Sequence, residues 1–271
     1  MLEEVNRRGL LLVGCGRMGG ALLAGWLERG VRPDAVWVRE PNPSDWLRAR
    51  AGEGVHLGEE PPEPPAVVVL AVKPQAMGAV LPEVRAVGAD TLVLSIAAGT
   101  PIATFEAAFG AGQPIVRAMP NTPAAIGRGV TAIVGNRAAG ARELALAEAL
   151  MAAVGKVVRL AEESQMDAVT AVSGSGPAYV FLLIEALAAA GAAEGLEPEL
   201  ALELARATVA GAAALAEQAD EPPAALREAV TSPGGTTEAA LRVLMAPGEG
   251  LPDLMRRAVA AAAGRSRELA R

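Results

Sequence analysis

The apolar positions of the first 160 residues fall into short unbroken runs separated by helical stretches. Gly9-Leu-Leu-Leu-Val13 contains no polar residue, the pattern of a parallel strand covered on both faces. Met18 to Arg29 has helical spacing and stops at Gly30, a residue type that closes helices. Further strands are predicted over 35–38, 67–72, 91–96, 115–119, 130–134 and 156–160, with a helix over 138–154. Thr100-Pro101 reads as a helix start, with Thr as cap and Pro at the first helical position. Pro61-Pro-Glu-Pro-Pro65 is a stiff, extended connector, and Pro120-Asn-Thr-Pro123 a turn. Strands alternating with helices predict an α/β fold of the Rossmann-like, doubly wound kind, its sheet mostly parallel.

Beyond residue 161 the strand signals cease. Helical stretches follow, broken at Gly174-Ser-Gly-Pro177, 195–198, Pro222-Pro223, Pro233-Gly-Gly235 and Pro247-Gly248. The expectation is two domains, a dinucleotide-binding one over 1–160 and an all-helical one over 161–271. The helix from Pro177 to about Gly195 is apolar on every side except at Glu185. Such a helix must be buried, and roughly 110 residues of helical domain have little material to cover it. Either a second subunit supplies the cover, making a homodimer through the helical domain, or this is an ordinary central helix. A membrane span is disfavoured, because Glu185 near the centre of a bilayer would cost on the order of 3 kcal/mol.

Composition narrows the function. The 271 residues carry a net charge of -7, which argues against a nucleic-acid partner. The single cysteine, Cys15, allows no internal disulfide and fits a reducing compartment. The single histidine, His56, excludes a histidine triad or a multi-histidine metal site within one chain, and no metal is expected. The N-terminus has mixed charge and no long apolar run, so a soluble, cytoplasmic protein is expected.

Gly14-Cys-Gly-Arg-Met-Gly19 is a G-x-G-x-x-G placed directly after a strand and at the head of a helix. Its glycines permit a tight turn, close approach of a pyrophosphate, and helix–strand packing, while the helix N-terminus offers free N–H groups. Arg39, at the tip of the second strand, suits the 2′-phosphate of NADPH, whereas Glu40 beside it suits an NAD ribose. NADPH is the favoured reading; the other is an Arg39 that is only a solvated turn residue. Ala71-Val-Lys-Pro-Gln75 ends the third strand where ligands lie in open sheets. Lys73, one of two lysines, is either a cofactor contact or a surface charge. Small residues in Ser95-Ile-Ala-Ala-Gly99 would admit a flat ring, or merely close a tight turn. In the helical part, Thr231-Ser-Pro-Gly-Gly-Thr-Thr-Glu238 offers N–H donors and hydroxyls to a carboxylate, or is a capping loop with Thr236 or Thr237 as cap.

These segments, with Met119-Pro-Asn-Thr-Pro123 and Asp167-Ala-Val-Thr-Ala-Val-Ser-Gly-Ser-Gly-Pro-Ala-Tyr179, run in the order found in pyrroline-5-carboxylate reductases, which the chain strongly resembles over nearly its whole length. The resemblance implies a Rossmann domain, a helical dimerisation domain, and higher homo-oligomers built from interlocked dimers. It places NADPH, with NADH possible, on Gly14, Cys15, Gly16, Arg17, Met18, Gly19, Arg39, Ala71, Val72, Lys73, Pro74, Ile96, Ala97, Ala98 and Asn121. The substrate carboxylate is expected on Ser232, Gly234, Gly235, Thr236 and Thr237, with the Thr237 hydroxyl near the ring nitrogen as the catalytic group. Two positions depart from the family: Leu57-Gly-Glu-Glu60 and Ala229 stand where relatives carry Asn.

The implied reaction is hydride transfer to the C=N carbon of 1-pyrroline-5-carboxylate, giving L-proline, with the protein chiefly positioning the reactants. A protonated imine already accepts hydride, so little acid–base equipment is needed. A hydroxyacid dehydrogenase would need a base such as a lysine on the first long helix after the sheet, yet residues 174–188 contain none. A non-catalytic dinucleotide sensor is the reading from another class.

Overall fold

The computed structural model describes residues 1–84 and 87–269. The chain divides into two compact units: residues 1–175 with the chain from Ala262 onward, and Gly176–Ala261.

The first unit is built on eight strands, β1 (Leu10–Val13), β2 (Val36–Arg39), β3 (His56–Leu57), β4 (Val67–Leu70), β5 (Leu92–Ser95), β6 (Ile115–Met119), β7 (Gly129–Gly135) and β8 (Gly155–Arg159). They form one sheet in the order β3-β2-β1-β4-β5-β6-β7-β8. All neighbours are parallel except β6 and β7, so β7 and β8 run against the rest. Period-two alternation explains why β1 and β4 lack polar residues. Leu10, Leu12, Val67 and Val69 enter one core, while Leu11, Val13, Val68 and Leu70 enter another on the opposite face.

The helices of this unit are α1 (Leu2–Arg8), α2 (Arg17–Glu28), α3 (Asp45–Gly52), α4 (Met77–Val80), α5 (Ile102–Phe109), α6 (Ala141–Met151) and α7 (Met166–Val169). Trp26 of α2 is fully buried and donates its indole N–H to the Leu150 carbonyl at 2.9 Å, which fastens α2 to α6. Seven of the strands, all but β3, lie where the apolar runs predict them, to within a residue or two. The α5 helix starts one residue later than the expected Pro101, and its cap differs. Pro101, extended at ψ 158, is the residue before the helix, and Thr100 caps nothing. The free N–H of Ile102 instead donates to Glu163 Oε1 at 2.9 Å. That oxygen also accepts from the buried Arg117 guanidinium at 2.8 Å. A distant carboxylate here replaces a local cap. The Pro120–Pro123 turn continues as a tight helical turn, Thr122–Ile126. Four elements, the two-residue strand β3 and the helices α1, α3 and α4, have no counterpart in the expected pattern.

The second unit holds α8 (Gly176–Ala193), α9 (Pro198–Gln218), α10 (Pro223–Ala229), α11 (Thr236–Leu244) and the start of α12 (Leu251–Leu269). α8 packs against α9, and Gly191 lets Leu196 and Ala201 approach closely. Burial is scant. Among the described residues of this unit only Ala201, Ala205 and Gly250 are buried. Phe181 and Leu182 of α8 are 59% and 63% exposed in a single chain. The stretch 163–193 is long and apolar enough to cross a membrane by length and composition alone, with none of its apolar window buried.

Candidate active site

Backbone hydrogen bonds gather four strand tips around the glycine turn. The Gly14 N–H donates to Arg39 O at 2.8 Å, Ala71 N–H to Val13 O at 2.8 Å, and Ile96 N–H to Leu70 O at 3.0 Å. The glycines then divide the work as the motif requires. Gly14 has φ +91, and a Cβ there would lie 2.8 Å from the Ala71 carbonyl oxygen. At Gly19 a Cβ would come within 2.4 Å of Gly14 O. Neither position tolerates a side chain for reasons of fold. Gly16 differs: a Cβ would meet nothing within 4 Å, and the residue is exposed. Nothing in the chain's own packing requires a glycine there. That open cradle, ahead of a helix whose first residue Arg17 is exposed and whose Gly16 cap uses no side chain, suits a pyrophosphate.

Charge around the cradle is already organised. Glu40 Oε2 accepts from the Cys15 N–H at 2.8 Å, and its Oε1 from the Asn42 N–H at 3.0 Å. Burial, and secondarily the Glu40 charge, push the Cys15 thiol up to about 11. The Arg39 guanidinium ion-pairs with Glu60 and donates to Glu83 O at 3.3 Å. Lys73 is exposed with no ion pair or side-chain hydrogen bond among the described residues. Asn121 has both ends of its amide engaged by the fold, Nδ2 on Ser173 O and Oδ1 on the Val130 N–H.

Beyond Pro74 and Ala98 opens a cavity of about 730 Å³, mostly apolar, lined also by Met77, Gly99, Thr100, Thr170 and Ser175. Its remaining wall comes from Ala262, Arg265, Ser266 and Leu269. Ser266 Oγ donates to Asp167 Oδ1 at 2.6 Å and fixes that wall. The C-terminal turns of α12 carry no motif, so nothing in the sequence predicts this wall. The Asp167–Ser266 pair, far apart in the chain, is its one polar trace. No group of three His, Cys, Asp or Glu among the described residues could hold a metal ion.

In the second unit the loop before α11 is exposed. Gly235 is the residue that caps α11, without a side-chain cap bond, so neither Thr236 nor Thr237 takes the capping role. The Gly234 N–H, at φ +71, donates instead to Glu238. Ser232 and Thr236 are exposed and Thr237 half-buried, their hydroxyls making no hydrogen bond among the described residues. Arg242 and the Gly234 N–H hold the Glu238 carboxyl below its usual range.

Residues 163–269 match the family model described as pyrroline-5-carboxylate reductase dimerisation, and residues 9–99 match that of NADP oxidoreductase, coenzyme F420-dependent. The pyrroline-5-carboxylate reductase of Pseudomonas aeruginosa is 43% identical over 267 residues, covering 96% of each chain. The chain belongs to the pyrroline-5-carboxylate reductase family. The enzyme of that name from Synechocystis is 42% identical over 95% of this chain and 97% of its own. Among solved structures, a pyrroline-5-carboxylate reductase from Coxiella burnetii superposes with TM-score 0.89 at 36% identity, over 97% of this chain and 99% of the other. The Plasmodium falciparum pyrroline carboxylate reductase, solved with NADP bound, superposes with TM-score 0.83 at 28% identity, over 98% and 99%. The expected reductase family, Rossmann-like sheet and helical dimerisation segment are thus all present, the last beginning at residue 163 rather than at the compact-unit boundary of 175.

Proposed function

We propose that this chain reduces the C=N bond of 1-pyrroline-5-carboxylate to give L-proline, using NADPH and able to use NADH. The reading rests above all on the full-length match to this family, with the Gly14–Gly19 turn standing between β1 and α2 as a dinucleotide site requires. The N–H groups of the Gly14–Gly19 turn and the α2 N-terminus hold the pyrophosphate. Arg39 faces the adenosine ribose; Ala71 to Pro74 and Ile96 to Ala98 form the floor beyond it. Bound there, the dihydronicotinamide supplies the hydride for the C=N carbon. Ser232, Gly234, Gly235 and Thr236 take the substrate carboxylate. The Thr237 hydroxyl hydrogen-bonds the ring nitrogen, holding it in the geometry that the transition state requires. No base is required, since the imine nitrogen enters protonated and leaves as the amine.

The functional division runs near residue 160, after β8, so that 1–160 binds the cofactor and 161–271 carries dimerisation and substrate. The exposed apolar faces of α8 and α9 are covered by a second copy, and dimers assemble into a higher homo-oligomer. The enzyme works in the cytoplasm, where its single cysteine stays reduced. The test is NADPH consumption on adding pyrroline-5-carboxylate to the purified protein, with L-proline as product. Cofactor binding without turnover would leave a dinucleotide sensor in its place.

A further inference from the structure

Two carboxylates stand near the tip of β2, and they are not equivalent. Both oxygens of Glu40 accept backbone N–H groups, of Cys15 and Asn42. Glu60 has one oxygen on the Arg39 fork, and its Oε2 has no partner among the described residues. The register pairs Arg39 with Val13, and the Gly14 N–H donates to Arg39 O, so the Arg39 backbone lies beside the glycine turn. Glu60 is also held in place by its sequence. The residue before a proline is confined to extended backbone, and Pro61, which follows it, is buried as the first of the Pro61-Pro-Glu-Pro-Pro65 run. The stiff connector thus presents a carboxylate to Arg39 at little conformational cost. The Arg39 and Glu60 side chains are 25% and 54% exposed. A pair so exposed is weak enough for a phosphate dianion, a stronger bidentate partner, to displace.

We propose that Glu60 sets the balance between NADPH and NADH, by competing with a 2′-phosphate for Arg39 and by offering its free oxygen to an unphosphorylated 2′-hydroxyl. The inference rests on the reading above that Arg39 faces the adenosine ribose. With the phosphate present, Arg39 exchanges one anion for another. Without it, the Arg39–Glu60 pair stays intact and Glu60 Oε2 accepts a hydrogen bond from the 2′-hydroxyl. Glu60 is therefore a brake on NADPH selectivity.

The test is calorimetric titration of the full-length protein with adenosine 2′,5′-bisphosphate and, separately, with 5′-AMP. Glu60→Gln raises the ratio of bisphosphate to AMP affinity by about three-fold or more, and Glu60→Ala does the same. The NADPH-to-NADH ratio of kcat/KM follows in the same direction. An unchanged affinity ratio in both variants overturns the proposal. Arg39→Gln separates the two layers. If it weakens bisphosphate binding while the Glu60 variants change nothing, Arg39 keeps its assignment and Glu60 loses its own. If it leaves bisphosphate binding untouched, the ribose assignment of Arg39 fails and the proposal falls with it.

Discussion

The molecule starts two helices by the same device and surrounds them in opposite ways. α2 and α11 each follow a glycine-rich turn, and each is capped by a glycine that makes no side-chain cap bond. Both therefore leave N–H groups for an anion. Around α2, the turn is wedged between buried strands, and Gly14 and Gly19 have no room for even a methyl group. Around α11, the unit buries only small residues, and the loop is exposed at Ser232, Pro233, Gly234 and Thr236. The sheet unit holds its turn rigid from its own core. The helical unit, with little core of its own, leaves its apolar faces exposed in a single chain.

The harshest way to break that contrast is to spoil the cover. Leu183 of α8 is 48% exposed in a single chain. Leu183→Arg should abolish the dimer at micromolar concentration and, with it, most of the stability of the helical unit, while the sheet unit still binds cofactor. Sedimentation equilibrium and cofactor titration check both parts. A folded monomer of unaltered thermal stability would mean that α8 needs no second copy.

The next two variants sharpen the contrast between the turns. Thr237→Ala, in the outward loop, should cut kcat by about 100-fold, the cost of a lost transition-state hydrogen bond. Cofactor affinity and thermal midpoint should stay where they were. Unchanged turnover refutes the role of that hydroxyl. In the inward turn, Gly16→Ala should lower cofactor affinity by about ten-fold. Its effect on stability should stay within about 0.5 kcal/mol, because nothing in the chain opposes a Cβ there. Gly19→Ala should lower both, since its Cβ would strike Gly14 O. Equal melting temperatures for the two alanine variants would erase the distinction.

The same contrast governs how much could be read from the sequence. β1, β4 and β5 were legible because a strand buried on both faces has no choice but an apolar run. The glycine turn was legible because its spacing is set by sterics. What stayed hidden was long-range. Glu163 caps α5 from 61 residues away, so the local Thr100-Pro101 signal pointed to a start one residue early. α1 and α3 are short and rich in charge, without a strong apolar period. The 730 Å³ cavity takes a wall from Ser266 and Leu269, which no motif marks. In the helical unit, α8 was legible as a helix needing cover, because Glu185 is the lone interruption of its apolar surface.

The smallest expected effects lie in how the two turns respond to pH, and they run in opposite directions. Cys15 is free and buried, with its thiol pushed up to about 11 from an ordinary 9.0. Its folded form therefore holds the proton more tightly than its unfolded form. The stabilisation this brings is complete below pH 9 and is lost as pH rises through 11. Alkylation of the native thiol by iodoacetamide should be slow at pH 9 and speed up only toward pH 11, while the unfolded chain reacts readily at pH 9. Cys15→Ala should flatten the alkaline fall in thermal midpoint without abolishing turnover, since packing and not redox chemistry is asked of this side chain. In the outward loop, Arg242 and the Gly234 N–H lower the Glu238 carboxyl. That contribution is present above the ordinary carboxylate range and fades as acid protonates the group. Glu238→Gln should accordingly change stability at neutral pH by a small amount that vanishes in acid. A native Cys15 that reacted at pH 8 as fast as a free thiol would show the inward turn to be open, and the comparison between the two turns would lose its physical basis.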